Sequence, residues 1–131
     1  MTRLSTAIEQ RLSGLPEFVD ALKHAVEHGL VDLDPWILIT SDRQVDARTV
    51  AISGRYPGRE VLCFSQRQDT DDVACVVLSS SAEYAAGQVL IVHDFAKAGS
   101  EVDAVFSDFW EWFKAAIDDM IETFRHWGEP R

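Results

Sequence analysis

VLCFSQRQDTDDVACVVLSSSAEYAAGQVLIVH, residues 61–93, carries the architecture of this chain. It holds three apolar runs, Val61 to Ser65, Val73 to Leu78 and Gln88 to His93, each read as a β-strand. The seven residues between the first two runs, QRQDTDD, are rich in turn formers and predict an antiparallel hairpin. The next connection, SSSAEYAAG, is longer and rich in small residues, and reads as an exposed loop. No helix separates these strands, so they favour a mostly antiparallel sheet with helices packed on it, an α+β fold. The runs are nearly continuous in apolar residues, which suits a sheet covered on both faces or one with a greasy exposed face.

Upstream, Ser41 with Gln44 is a capping signal for a helix that runs to Arg55, where Pro57 and Gly58 end it. Trp36-Ile37-Leu38-Ile39-Thr40, just after Asp34-Pro35, reads as a strand. Pro16 suits the first position of a helix whose apolar stripe is Phe18, Val19, Leu22, Ala25 and Val26, and Gly29 is its stop. Thr6 with Glu9 resembles a capping box for a short first helix ending at Ser13-Gly14. Downstream, Gly99 breaks the chain. Ser100 with Asp103 then caps a long helix from Glu101 to Glu122, stopped by Gly128 and Pro130. The expected order is α-α-β-α-β-β-β-α, with about four strands and a long C-terminal helix, in a single domain over residues 1–131.

The long helix also carries the strongest functional signal. At about 100° per residue, Phe106, Phe109, Trp110, Phe113, Ile117, Met120, Ile121 and Phe124 share one side. Asp108, Glu111, Asp118, Asp119 and Glu122 fall opposite, with Lys114 and Arg125 at the edge. Like charges at i,i+3 and i,i+4 repel, so a single-sign stripe calls for a cationic partner. Trp112 lies about 120° from the centre of the apolar stripe, beside the acids. It reads either as an anchor for a partner or as a cover for the rim of the core.

The 131 residues are 47% hydrophobic, enough for a core. Formal net charge is −10 and the pI about 4.6. That excess argues against nucleic acid and against anionic membrane surfaces. It fits a cationic protein partner, although acidity also serves solubility alone. The opening MTRLSTAIEQRL lacks a secretory signal, and no window reaches the ~20 apolar residues of a membrane span. A cytoplasmic protein is expected, with Cys63 and Cys75 as buried reduced thiols.

His24-Ala25-Val26-Glu27-His28 matches the H-x-x-E-H pattern of inverted zinc peptidases. Two histidines at i,i+4 can ligate zinc while the glutamate acts as base, but the third ligand would have to come from another helix. The histidines also suit the last turn before Gly29. Asp69, Asp71 and Asp72 crowd one turn without the ligand count of a calcium loop, and a contact loop is the better reading. His93-Asp94 is similar to the HD pair of metal-dependent phosphohydrolases, but lacks suitably placed partners. No nucleophile elbow, phosphate loop, G-x-G-x-x-G or C-x-x-C is present. No catalytic residue, metal or cofactor is expected.

R-Y-P-G-R-E-V-L-C-F-S-Q-R-Q-D-T-D-D-V-A-C at 55–75 resembles the middle of the SUKH superfamily, immunity-type proteins related to a fungal cell-wall assembly regulator. V-L-I-V-H-D-F-A at 89–96 and F-x-x-F-W-x-W-F-x-A-A-I-D-D-M-I-E at 106–122 fit as well. The resemblance covers residues 36–122, and the first 33 residues do not match the longer members. It implies an α+β domain that binds and neutralises a bacterial toxin, often a nuclease, without catalysis of its own.

The leading expectation is therefore a non-enzymatic cytoplasmic immunity protein with a cognate cationic toxin as partner, and with self-association left open. Its contacts would be Asp69, Asp71 and Asp72 in the hairpin turn and Asp108, Glu111, Trp112, Asp118 and Asp119 on the last helix. The rivals are a metal-dependent hydrolase using His24, Glu27 and His28, or His93 and Asp94, and a scaffold or regulatory adaptor.

Overall fold

The structure, a computed structural model, describes residues 3–58 and 60–128. Its elements are α1 (Thr6–Arg11), α2 (Pro16–Glu27), β1 (Asp32–Leu33), β2 (Trp36–Leu38), α3 (Asp42–Arg55), β3 (Val61–Arg67), β4 (Asp72–Val77), β5 (Val89–His93), β6 (Val102–Phe106) and α4 (Phe109–Gly128). Pro130 lies outside the described residues.

The strands form one sheet in chain order, β1-β2-β3-β4-β5-β6, and every neighbour pair is antiparallel. The α+β class holds, with six strands rather than about four. Both additions are edge strands. β1 is two residues long, too short for any periodicity to register. β6 replaces the first part of the expected long helix. Val102, Ala104 and Phe106 are half-buried while Asp103 and Val105 are exposed, the alternation of a strand. The helical reading had absorbed Phe106 into its apolar stripe. The cap of the last helix is accordingly not Ser100 with Asp103 but Asp108, whose Oδ1 accepts the Glu111 N–H at 2.9 Å.

Local signals explain the other helices. Ser41 caps α3 by accepting the Gln44 N–H at 3.4 Å, and Pro16 opens α2. Gly29, just past α2, has φ +74°, a conformation glycine adopts without steric cost. The first helix is capped one residue earlier than expected, by Ser5 on the Ile8 N–H at 3.2 Å, and it ends at Arg11.

Both faces of the sheet are covered, which accounts for the unbroken apolar runs. Leu62, Phe64, Ala74, Val76, Val89 and Ile91 point toward α1, α2 and α4. Val61, Cys63, Val73, Cys75, Leu90 and Val92 point the other way, against Ile52 and Tyr56 at the α3 side. Each large apolar side chain so buried contributes about 1.5–3 kcal/mol. Cys63 and Cys75 are buried and face each other across the β3–β4 ladder.

Candidate partner-binding surface

α4 sits on the sheet in a rotation that differs from the expected one. Its core side is Phe109, Trp112 and Ala116, with Phe113, Ile117 and Met120 half-buried beside them. Trp112 is 1% exposed. Its ring packs edge-on against Trp36, Phe64 and Phe109 at 5.7, 5.0 and 5.6 Å between centroids. It is a core residue, and its expected role as a surface anchor does not fit this placement. Aromatic faces on β2 and β3 select the tryptophan that can meet them edge to face. The tryptophan left outside is Trp110, 45% exposed, with only part of its ring against Phe109 and Phe113. Ile121 and Phe124 are 41% and 51% exposed on the same side of the helix. The wide apolar stripe thus divides into a buried flank and a wet one.

Along the wet side run the acids. Glu111, Asp118 and Glu122 are exposed, and none of the described cations pairs with Glu111 or Asp118. Asp119 is different. It accepts the Trp36 Nε1–H at 3.0 Å and lies 3.5 Å from the Arg67 guanidinium. Arg67 also donates twice to Asp69, at 2.8 and 3.0 Å. Those hydrogen bonds raise the Arg67 pKa and hold the Asp69 carboxyl below its ordinary range. One arginine on β3 therefore ties the hairpin turn to α4 and engages two of the eight expected contact residues, Asp69 and Asp119. Asp72 is half-buried and bonded to His93 at 2.7 Å. Asp71 is exposed at the turn. Asp108 is exposed at the far end of α4, about 16 Å along the helix from Asp119 at about 1.5 Å per residue. The expected residues thus form two patches joined by α4 rather than one cluster.

A groove of about 510 Å³ opens at the start of α4. Leu15, Phe18, Phe109 and Trp110 contribute its apolar lining and Glu17, Asp20 and Asp108 its charge, and among the described residues no Lys or Arg lines it. Sequence reasoning missed this groove because its walls come from α2, the β4–β5 loop and the β6–α4 junction. The exposed acids of the first turns and the aromatic pair were the only local hints.

The metal-ligand motifs do not assemble as read. His24 and His28 are exposed and stacked 6.1 Å apart. Each Nδ1 bonds a backbone carbonyl one turn back, that of Asp20 or His24, at 2.8 Å. Among the described residues, no third ligand joins them and Glu27. His93 and Asp94 are adjacent and engage opposite sides of the sheet. Asp94 is buried in a two-point ion pair with Arg55 at the end of α3, at 2.5 and 2.7 Å. Burial pushes its carboxyl pKa up, but the Arg55 bonds and charge outweigh that and hold it below the ordinary range.

No protein-family model matches this chain, and no curated protein or solved structure is significantly similar to it. Among the described residues, no helix is long and apolar enough to cross a membrane.

Proposed function

We propose that this chain acts by contact, as an immunity-type protein that binds and neutralises a cationic toxin domain. The observation that carries the reading is the wet flank of α4. Trp110, Ile121 and Phe124 stay 41–51% exposed beside Glu111 and Asp118. Large apolar side chains aligned on one exposed face, bordered by charge, are the makings of an interface with a dry centre and a polar rim. Aromatic residues supply most of the binding energy at such centres. The surplus of acids across the chain would speed the arrival of a basic partner. A nuclease toxin is basic because it must hold phosphates. The resemblance of residues 36–122 to SUKH proteins supports the same reading.

Co-purification of the tagged chain from its native cells, followed by growth assays, tests this proposal. The expected result is one stoichiometric basic protein that arrests growth when expressed alone and is rendered harmless when this chain is co-expressed. The double variant Trp110→Ala, Phe124→Ala should lose that protection while remaining folded. Neutralising Asp71, Glu111 and Asp118 together should slow association and flatten its salt dependence. Several unrelated partners, or protection unchanged by the α4 variant, would instead favour an adaptor or another surface.

A further inference from the structure

Three side chains outside the α4 surface converge at one end of the sheet. Asp72 and His93 face each other across the β4–β5 ladder. β6 supplies the third, Asp103, where its register against β5 shifts: Ile91 pairs with Ala104, but Val92 pairs with Val102. A bulge inserts one extra residue and re-aims its side chain, and here that residue is Asp103. Each of the three offers one ligand atom, and those atoms all lie within 4.8 Å of one another. His93 Nδ1 and Asp72 Oδ1 are 2.7 Å apart. Two ligands held about 2.1 Å from one ion are about 3.0 Å apart in an octahedral shell and about 3.4 Å apart in a tetrahedral one, so an outward movement of a few tenths of an ångström suffices. The backbone around them is pinned, with the His93 N–H on the Glu101 carbonyl at 2.7 Å and the Asp94 N–H on the Asp71 carbonyl at 3.1 Å. Asp72 and His93 are half-buried and Asp103 is exposed, which leaves one side open to water.

We propose that Asp72, His93 and Asp103 bind a divalent transition-metal ion of the zinc or manganese type. The ligands are one imidazole nitrogen and two carboxylate oxygens, and water completes the shell. The imidazole sets this donor set apart from the all-oxygen sites of calcium and magnesium. With His93 neutral, two carboxylates match the charge of the ion, and Asp71 adds negative potential beside them. Binding replaces the proton held between His93 and Asp72, which leaves to solvent. Asp94 takes no part, because Arg55 holds both of its oxygens. Its ligands lie on β4, β5 and β6 rather than on α4, and a titration of the chain alone tests them without the partner.

The test is calorimetric titration of the chelator-stripped full chain with zinc chloride, and separately with manganese chloride. One ion per chain is expected, with affinity at least about tenfold weaker in His93→Asn and in Asp103→Asn. The exposed His24–His28 pair is the rival zinc site, so the double variant His24→Gln, His28→Gln must retain the binding. Loss of binding in that double variant, retention in His93→Asn, or no saturable binding by the unaltered chain overturns the proposal. A second measurement does not depend on any variant folding. Manganese added to the unaltered chain should broaden the amide resonances of Asp72, His93 and Asp103 first. Broadening centred on residues 24–28, or none, overturns the assignment.

Discussion

α3 and α4 cover opposite faces of one sheet with very different sequences. α3 buries Val45, Thr49 and Ile52, and its charges mix signs, with Asp42 and Asp46 against Arg43, Arg48 and Arg55. Val50 is its one large apolar side chain left in water, which is ordinary for a surface helix. α4 fills its side of the core with Phe109, Trp112 and Ala116, and it also leaves Trp110, Ile121 and Phe124 41–51% exposed. Those three fall within about 60° of arc on the helix. Among the described residues of the helix itself, its acids Glu111, Asp118, Asp119 and Glu122 are set against Lys114 and Arg125, and Arg67 of β3 reaches Asp119. The difference teaches that closing a core uses up the apolar residues of one helix and not of the other. The aligned surplus on α4, bordered by acids, is what gives that face a task beyond packing.

The two tryptophans of α4 put that contrast at greatest risk. Trp112→Ala should destabilise the fold by about 3–5 kcal/mol, because it empties the centre of an aromatic cluster. Trp110→Ala should cost no more than about 1 kcal/mol, since nearly half of that side chain is already in water. Urea denaturation of both variants reads the difference. Equal losses would mean that the wet flank belongs to the core, and the case for a docking face on α4 would fail.

The α3 side can be probed at its own closing contact. Arg55 sits between the buried Asp94 carboxylate and the Phe95 ring, 4.0 Å from the ring centroid. Arg55→Ala should lower stability, by less than breaking a wholly buried pair would, because the Arg55 side chain keeps a third of its surface in water. The pH sign follows from the direction of the shift. Asp94 is held below the ordinary carboxylate range. Its contribution is therefore present above the unfolded pKa and lost as pH falls through the lower folded value. Arg55→Ala removes that contribution, so the stability gap between the variant and the unaltered chain should be widest above the ordinary carboxylate range and narrow as pH falls from about 6 to 3, read from denaturation midpoints. A gap that stays constant through that range would show that Arg55 does not hold Asp94 ionised.

How much of this was legible in the sequence depended on how locally each feature is determined. Ser41 with Gln44, Pro16 and Gly29 mark their helix ends by chemistry within a single turn, and α2 and α3 follow from them. The β3–β4 hairpin is equally local. β6 was hidden because Phe106 satisfies a helical period as well as the alternation it obeys, and five residues are too few to separate the two. The rotation of α4 was not legible at all. A hydrophobicity wheel finds the centre of an apolar stripe. Which flank is buried depends on Trp36 and Phe64, far away in the chain. The acids of the candidate surface could be read directly, but the grip of Arg67 on Asp69 and Asp119 could not, because it joins a hairpin to a distant helix. For the same reason His93 was paired with its sequence neighbour Asp94 rather than with Asp72 across the ladder.

The smallest expected effect comes from that adjacent pair, which carries the contrast between the two sides down to neighbouring residues. Asp94 is closed off by Arg55, whereas the His93 side chain is 46% exposed beside Asp72, with Asp71 and Asp103 also within its field. The hydrogen bond from Asp72 comes first in raising the His93 pKa above its ordinary 6.5, and the nearby carboxylates add to it. A raised histidine stabilises the fold while protonated, so its contribution is full below the unfolded pKa and fades as pH rises through the folded one. Stability should therefore decline slightly from pH 6 toward pH 8 in the metal-free chain, and His93→Asn should flatten that slope. Solvent screening keeps the effect small at so exposed a site, and an NMR titration of the His93 ring is its more sensitive reading. A midpoint at or below the ordinary 6.5 would mean that Asp72 does not hold the imidazolium.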